Sequence, residues 1–252
     1  MTTLSLSRLH WGRPSAEKKA LMVHGLGSSA ATCWRVMEAL AEQGWSASAV
    51  DLRGHGSSPR ASTYAITDFA TDLEATTPEG ATTWDLVIGH SIGAASAVVA
   101  SSRKPRWAKR LVLIDPALCL DDSVRNQVLE NQRLGHLHQG VDDIRALNPH
   151  WHPLDWELRV QANRSASLFA LEQAVFDNDP WDVTDYAKTV TVPTHVLGGK
   201  QELGSMFCGD YATNMLAANE NFSYEVIDGA GHSVHRDKPA ETMAALRAFL
   251  AS

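Results

Sequence analysis

The sequence predicts an α/β fold, with a mostly parallel central sheet flanked by helices and a helical segment inserted late in the sheet. Three features lead there. Short apolar runs of strand length alternate with helix-length stretches over residues 20–114 and again over 194–250, the pattern of βαβ units. Residues 118–188 between them carry helical periodicity and no convincing buried strand. One strand-to-helix junction reads GHSIG, Gly89 to Gly93, where a sharp turn flanked by glycines would lift the Ser91 hydroxyl above the sheet.

In chain order, Leu4 to Leu9 alternates with period two and is expected as a strand, and Ala20 to Val23 is a short apolar strand ending at His24. A helix from Ala31 to Gln43 follows, stopped by Gly44. Trp45 to Val50 then reads as strand, Ile66 to Ala75 as helix, Trp84 to Ile88 as strand, Ala94 to Ser102 as helix and Leu111 to Ile114 as strand. Within the insertion, Val124 to Leu134, Trp156 to Ala162 and Leu168 to Phe176 are amphipathic helices. The rhythm resumes with strand Thr194 to Leu197, helix Ser205 to Ala217, strand Ser223 to Ile227 and a closing helix Pro239 to Leu250 with its proline in the first turn. The expected division is a core of residues 1–117 and 189–252 and a helical lid of residues 118–188.

A chain of 252 residues can bury one substantial core, and its 44% hydrophobic and 20% charged content is ordinary for a globular protein. The net charge of −7, from 22 basic and 29 acidic residues, offers no basic footprint for a nucleic acid. Cys33, Cys119 and Cys208 are widely spaced, so neither a disulfide framework nor a zinc ribbon is implied. The N-terminal stretch MTTLSLSRLHWGRP lacks the basic start and apolar run of a signal peptide, and no run approaches the roughly 18 apolar residues of a membrane span. A cytoplasmic protein without membrane attachment is expected, its oligomeric state left open.

Four segments carry the chemistry: HGLGS at His24 to Ser28, DLRGHGSS at Asp51 to Ser58, GHSIG at Gly89 to Gly93 and GAGHS at Gly229 to Ser233. In this order they resemble the α/β-hydrolase family, serine hydrolase branch, over the whole chain outside the insertion. The resemblance implies Ser91 as nucleophile and His232 as general base, with His235 the nearest competitor. It implies an oxyanion hole made by the backbone N–H groups of Leu26 and Ile92, with Gly25 and Gly27 keeping the first loop free of side chains. The acid departs from the family's pattern, because the G-x-x-D region reads GGKQELG from Gly198 to Gly204. Registering on Gly199 puts Glu202 in the acid position and registering on Gly198 puts Gln201 there. Glu202 is preferred, since Gln cannot stabilise an imidazolium; Asp115, at the end of the preceding strand, is the rival, and absence of an acid is the third reading.

The resemblance implies that the loop of Asp51, Arg53 and His55 is structural rather than reactive, with Asp51 and Arg53 fastening it. Gly25, Gly27 and Ala30 also satisfy G-x-G-x-x-A, but a dinucleotide-binding reading leaves the GHSIG and GAGHS segments unexplained. The insertion holds His136, His138, His150, His152, Trp151, Trp156 and Trp181; H-x-H pairs can ligate zinc, yet no H-E-x-x-H or cysteine pair accompanies them, and a lid over a substrate pocket is the preferred reading. No cofactor and no metal is expected. The resemblance thus implies hydrolysis of a small carboxylic ester, lactone or thioester through a Ser91 acyl-enzyme. C–C bond hydrolysis on the same residues, or ligand binding without catalysis, are the alternatives. A serine at the elbow argues against the dehalogenase and epoxide-hydrolase branches, which use Asp.

Overall fold

A computed structural model of the protein describes residues 2–138 and 140–251. The elements run β1 (Arg8–Trp11), β2 (Lys19–Val23), α1 (Trp34–Glu42), β3 (Ser46–Val50), α2 (Ile66–Ala75), β4 (Leu86–His90), α3 (Ile92–Arg103) and β5 (Leu111–Ile114). After them come β6 (Cys119–Leu120), α4 (Asp122–Leu137), α5 (Val141–Leu147), α6 (Pro153–Ser165), α7 (Leu168–Phe176), β7 (Trp181–Asp182) and α8 (Thr184–Lys188). The chain closes with β8 (Thr194–Gly198), α9 (Gly209–Ala218), β9 (Phe222–Val226), α10 (Val234–Asp237) and α11 (Pro239–Ala251).

Seven strands form one sheet in the order β1-β3-β2-β4-β5-β8-β9, parallel throughout except for the antiparallel edge strand β1. Every residue of β2, β3, β4 and β5 is buried, because helices cover both faces of a sheet built from βαβ crossovers. The period of two sorts their side chains. Leu21, Val23, Val87, Leu111 and Leu113 face one core with Phe69 and Leu73 of α2 and Val98 of α3, whereas Ala20, Met22, Leu86, Ile88, Val112 and Ile114 face the other with Met37 and Leu40 of α1 and Leu246 of α11. The α/β class and the mostly parallel sheet predicted from the alternation are what the chain adopts.

The first strand begins later than the expected Leu4 to Leu9. Its pairing runs from Arg8 opposite Val50 to Trp11 opposite Ala47, and before Arg8 a single further backbone bond, Asp51 N to Ser7 O at 2.9 Å, is what the described residues add to that ladder, so residues 4–7 do not continue the strand. They are tied instead by Leu4 N donating to Asp72 Oδ1 (2.7 Å) and Ser7 N to Ser58 Oγ (2.8 Å). The helix expected from Ala31 opens as a 3-10 turn at Ala30–Cys33 before becoming α-helical at Trp34.

The insertion leaves after β5 and returns before β8. Its two ends are joined by the antiparallel pair β6–β7, Cys119 opposite Asp182 and Leu120 opposite Trp181, strands too short to register as periodicity. Trp181 Nε1 donates to Ala117 O at 2.8 Å, fastening the return to the departure point. Ala170, Leu171, Ala174 and Val175 of α7 join the first core, while Ile144, Trp151 and Val160 form a small cluster of their own between α5 and α6. Among the described residues no helix is long and apolar enough to cross a membrane.

Candidate active site

The GHSIG turn connects β4 to α3, and its central residue has φ 54° and ψ −121°, a conformation that costs a non-glycine residue on the order of 1–3 kcal/mol. The strain is held from both sides. Ser91 N donates to Ile114 O (3.0 Å), and Ser91 O accepts from Ala94 N (3.0 Å) and Ala95 N (3.1 Å). The flanking glycines are steric necessities: a Cβ on Gly89 would lie 2.4 Å from Ala94 Cα, and one on Gly93 2.4 Å from His24 O and 2.6 Å from Val23 O. The helix therefore starts hard against β2, and the serine side chain is thrown out to line a cavity of about 410 Å³.

His232, in the loop between β9 and α10, opens on the same cavity. Its Nδ1 lies 2.6 Å from Asp115 Oδ2, an arrangement that places the proton on Nδ1 and leaves Nε2 as the acceptor. Asp115 follows β5 directly, has φ 40° and is completely buried. Its carboxylate is a four-donor acceptor: besides His232 it receives Ser205 Oγ (2.6 Å), Met206 N (2.9 Å) and Phe207 N (3.1 Å). A buried anion this well hydrogen-bonded stays in place opposite an imidazole. The same cradle explains why α9 starts at Gly209 rather than at the expected Ser205, since residues 205–207 turn their donors toward Asp115.

The expectation for Glu202 is not met. Glu202 sits exposed in a 3-10 turn, Gln201–Leu203, with Gln201 exposed beside it, and the carboxylate on His232 is that of Asp115. The reason is adjacency. β5 and β8 are neighbouring parallel strands with Ile114 opposite Leu197, so an acid one residue past either strand end can approach the same histidine. After β8 the space is filled by backbone, because a Cβ on Gly199 would lie 2.4 Å from Gly231 O and 2.5 Å from Ala230 O.

Leu26 and Ile92 both line the cavity. Ile92 is the first residue of α3, where an N–H has no intrahelical acceptor. In the first loop, Gly27 N is taken by His55 Nε2 (3.0 Å) and Ser28 N by Gly25 O (3.1 Å), whereas the amide of Leu26, a cavity-lining residue, has no such partner among the described residues. His24 and His55 brace this loop with their rings 5.1 Å apart. Burial holds His24 at a pKa of about 4 and His55 at about 3, so both are neutral at pH 7. As neutral rings each donates from Nδ1, His24 to Gly25 O and His55 to Arg53 O, and accepts at Nε2, from Leu52 N and Gly27 N.

Asp51 and Arg53 fasten their loop. Asp51 accepts from Ala30 N (2.7 Å) and Ser57 N (2.9 Å), and Arg53 makes a two-pronged pair with Asp72 (2.7 and 2.9 Å). His90, the residue before Ser91, lies between His232 and His235, 4.8 Å from each ring, and donates from Nε2 to His232 O at 3.0 Å. Burial and the surrounding basic groups hold both His90 and His235 well below the usual histidine range. His235 is buried against His90 and does not line the cavity, so of these two loop histidines it is His232 that shares the cavity with Ser91.

The helical insertion supplies the opposite wall, among it Leu120, Gln132, His138, Trp151 and Trp181. His138 thus lines the cavity, whereas His150 pairs with Asp237 (3.0 Å) and His152 caps α6 by accepting from Leu154 N (3.2 Å). Arg159 of α6 and Arg236 of α10 also line it, and nothing in the local sequence singled them out.

The model of the Alpha/beta hydrolase family matches residues 20–246. Lipase LipV of Mycobacterium tuberculosis is 25% identical over 253 residues, covering 94% of this chain and 95% of that protein. A serine hydrolase-like protein of Dictyostelium discoideum is 27% identical over 190 residues, 71% of this chain but 46% of the larger relative, so the chain spans about half of that protein's length. The crystal structure of E-2-(acetamidomethylene)succinate hydrolase superposes with a TM-score of 0.85 at 21% identity, covering 99% of this chain and 96% of that one.

Proposed function

The chain belongs to the α/β-hydrolase family, and from that premise we propose that it is a serine hydrolase acting on a small carboxylic ester, lactone or thioester. The observation that carries the reading is the 2.6 Å bond from the buried Asp115 to His232, on a cavity that also holds the strained Ser91. Ser91 Oγ attacks the substrate carbonyl as His232 Nε2 takes its proton, because a serine hydroxyl is a weak nucleophile until a base removes that proton. The negative charge that develops on the carbonyl oxygen is met by the Leu26 and Ile92 N–H groups, each such donor being worth on the order of 10²–10³ in rate. His232 then protonates the leaving group, and the acyl-enzyme is hydrolysed by a water that His232 deprotonates. Asp115 fixes the histidine tautomer and stabilises the imidazolium in both halves. Unpaired Cys33, Cys119 and Cys208 suit a reducing compartment, the cytoplasm.

The test is labelling with a fluorophosphonate and location of the adduct by peptide mass. A single adduct on Ser91, lost in Ser91→Ala and strongly slowed in His232→Ala, is expected. A folded protein that takes no adduct at Ser91 and turns over no ester, lactone or thioester contradicts the reading.

A further inference from the structure

The protein carries a net charge of −7, yet the wall of its cavity carries two arginines, Arg159 and Arg236, and among the described residues no Asp or Glu. Arg236 has company: its Nη2 donates to Ser28 Oγ (3.2 Å), its guanidinium lies over the Trp151 ring at 5.2 Å, and Asp155 and Asp237 act on it through space. Arg159 has none of this. No carboxylate lies within ion-pair distance of it and no acceptor within hydrogen-bond distance among the described residues, and the charge acting on it is the like charge of Arg236. Burial and that repulsion bring it down to about 10, which still leaves it cationic at pH 7. Asp155, one turn before it on α6, is already committed to Trp34 Nε1 (2.9 Å) and Arg35 (3.5 Å).

Arg159 is half-buried with no partner among the described residues, an unfavourable place for a cation, so a cavity wall that sets it beside a second, buried arginine is built to receive an anion. Position narrows the class. Arg159 Nη2 lies 3.6 Å from where a Cβ would stand on Gly27, in the loop that offers the Leu26 amide, and equally 3.6 Å from the Cβ position of Gly135 on α4. The cation therefore stands within one residue of the proposed oxyanion donors. Arg159 emerges from the middle of α6, and the backbone N–H groups that share the cavity with it, those of Leu26 and Ile92, are the ones proposed for the carbonyl oxygen; the planar guanidinium fork is left to match the edge of a carboxylate. The volume of about 410 Å³ fits a small molecule rather than a long acyl chain.

We propose that the substrate carries a free carboxylate close to its scissile carbonyl, a half-ester or half-thioester of a short dicarboxylic acid, and that Arg159, with Arg236, pairs with that carboxylate. The proposal rests on the serine hydrolase reading and names its substrate class. It gives the inserted helices a role in selection: α6 brings the anion-binding group from one side, and the segment after His232 brings the other. A neutral diester of the same size leaves the Arg159 guanidinium without a partner.

The experiment compares monomethyl glutarate and monomethyl succinate with their dimethyl esters, in the wild-type chain and in Arg159→Gln. The half-esters are expected to exceed the diesters in kcat/KM by on the order of 10²-fold, and Arg159→Gln to remove about 30- to 10³-fold of the half-ester rate, largely through KM, without an equal fall for the diesters. Equal turnover of half-esters and diesters by the wild type, or a parallel loss of both in Arg159→Gln, overturns the proposal. If neither ester is turned over, the hydrolase reading is decided separately by labelling of Ser91, and thermal shift with Ser91→Ala decides the anion site. Stabilisation by glutarate that exceeds that by butyrate and inorganic phosphate, and that vanishes in Ser91→Ala/Arg159→Gln, sustains it. Equal or absent stabilisation, or preference for phosphate, removes it.

Discussion

Replacing Asp115 by Asn separates the two carboxylates that the sequence offered for one role. The four donors around Asp115 divide evenly, with Ser205 Oγ and Phe207 N on Oδ1 and Met206 N and His232 Nδ1 on Oδ2. An Asn amide can keep an acceptor on one side only. If its NH₂ faces His232, Nδ1 must accept, the ring proton moves to Nε2, and Nε2 can no longer take the Ser91 proton. If its NH₂ faces Ser205, the hydroxyl can accept but Phe207 N–H is left opposing another donor. Either way one buried N–H loses its partner, at about 1–3 kcal/mol, or roughly 2–4 °C in Tm per kcal/mol for a chain of this size. Activity falls much further, by on the order of 10⁴ in kcat, equivalent to about 5.5 kcal/mol of barrier, because the imidazolium loses its counter-charge. The assay is turnover of an activated ester together with the rate of fluorophosphonate labelling. Glu202→Gln, on an exposed turn, is the control and is expected to change stability by less than about 0.5 kcal/mol and rate by less than about twofold. Asp115→Asn within tenfold of wild type while Glu202→Gln drops by orders of magnitude would refute the assignment.

Two further outcomes follow from the same geometry. Ser91→Gly removes the nucleophile and relieves its positive φ; with the greater chain entropy of glycine subtracted, a gain of about 1 kcal/mol and a higher Tm is expected, and a lowered Tm speaks against stored strain. Acid should destabilise the fold through His24 and His55, whose native pKa values of about 4 and about 3 lie below the unfolded value of about 6.5. Between pH 6.5 and 4 the unfolded chain binds protons that the native protein refuses, so the stability these neutral rings provide is complete above pH 6.5 and declines as pH falls, by up to about 1.4 kcal/mol per unit for each, levelling off below about pH 3. Urea unfolding at pH 7, 6 and 5 should show the decline, shallower in His55→Asn; unchanged slopes would contradict it.

Much of this was legible in the chain because it is local. Buried strands such as Leu111–Ile114 are apolar at every position, α2 shows its residues by period, and the elbow needs Gly89 and Gly93 where backbones of β4, α3 and β2 meet, so five consecutive letters record the turn. The Asp51, Arg53 and His55 loop was readable as structural through the family resemblance. The acid was not, since Asp115 and Glu202 are equally plausible in one dimension. What separates them is that β5 and β8 lie side by side, that Gly199 is pressed against Ala230 and Gly231, and that residues 205–207 turn three donors onto Asp115. Edge pairing likewise set where β1 begins, as its ladder ends with Val50. The charge of the cavity was the least visible of all. Arg159 and Arg236 are 77 positions apart in a chain that is acidic overall, and only the packing of the inserted helices against the core brings them to one cavity whose wall, among the described residues, holds no carboxylate. Periodicity and turn chemistry are properties of neighbours in sequence, whereas hydrogen-bond partners and unpaired charge are properties of neighbours in space.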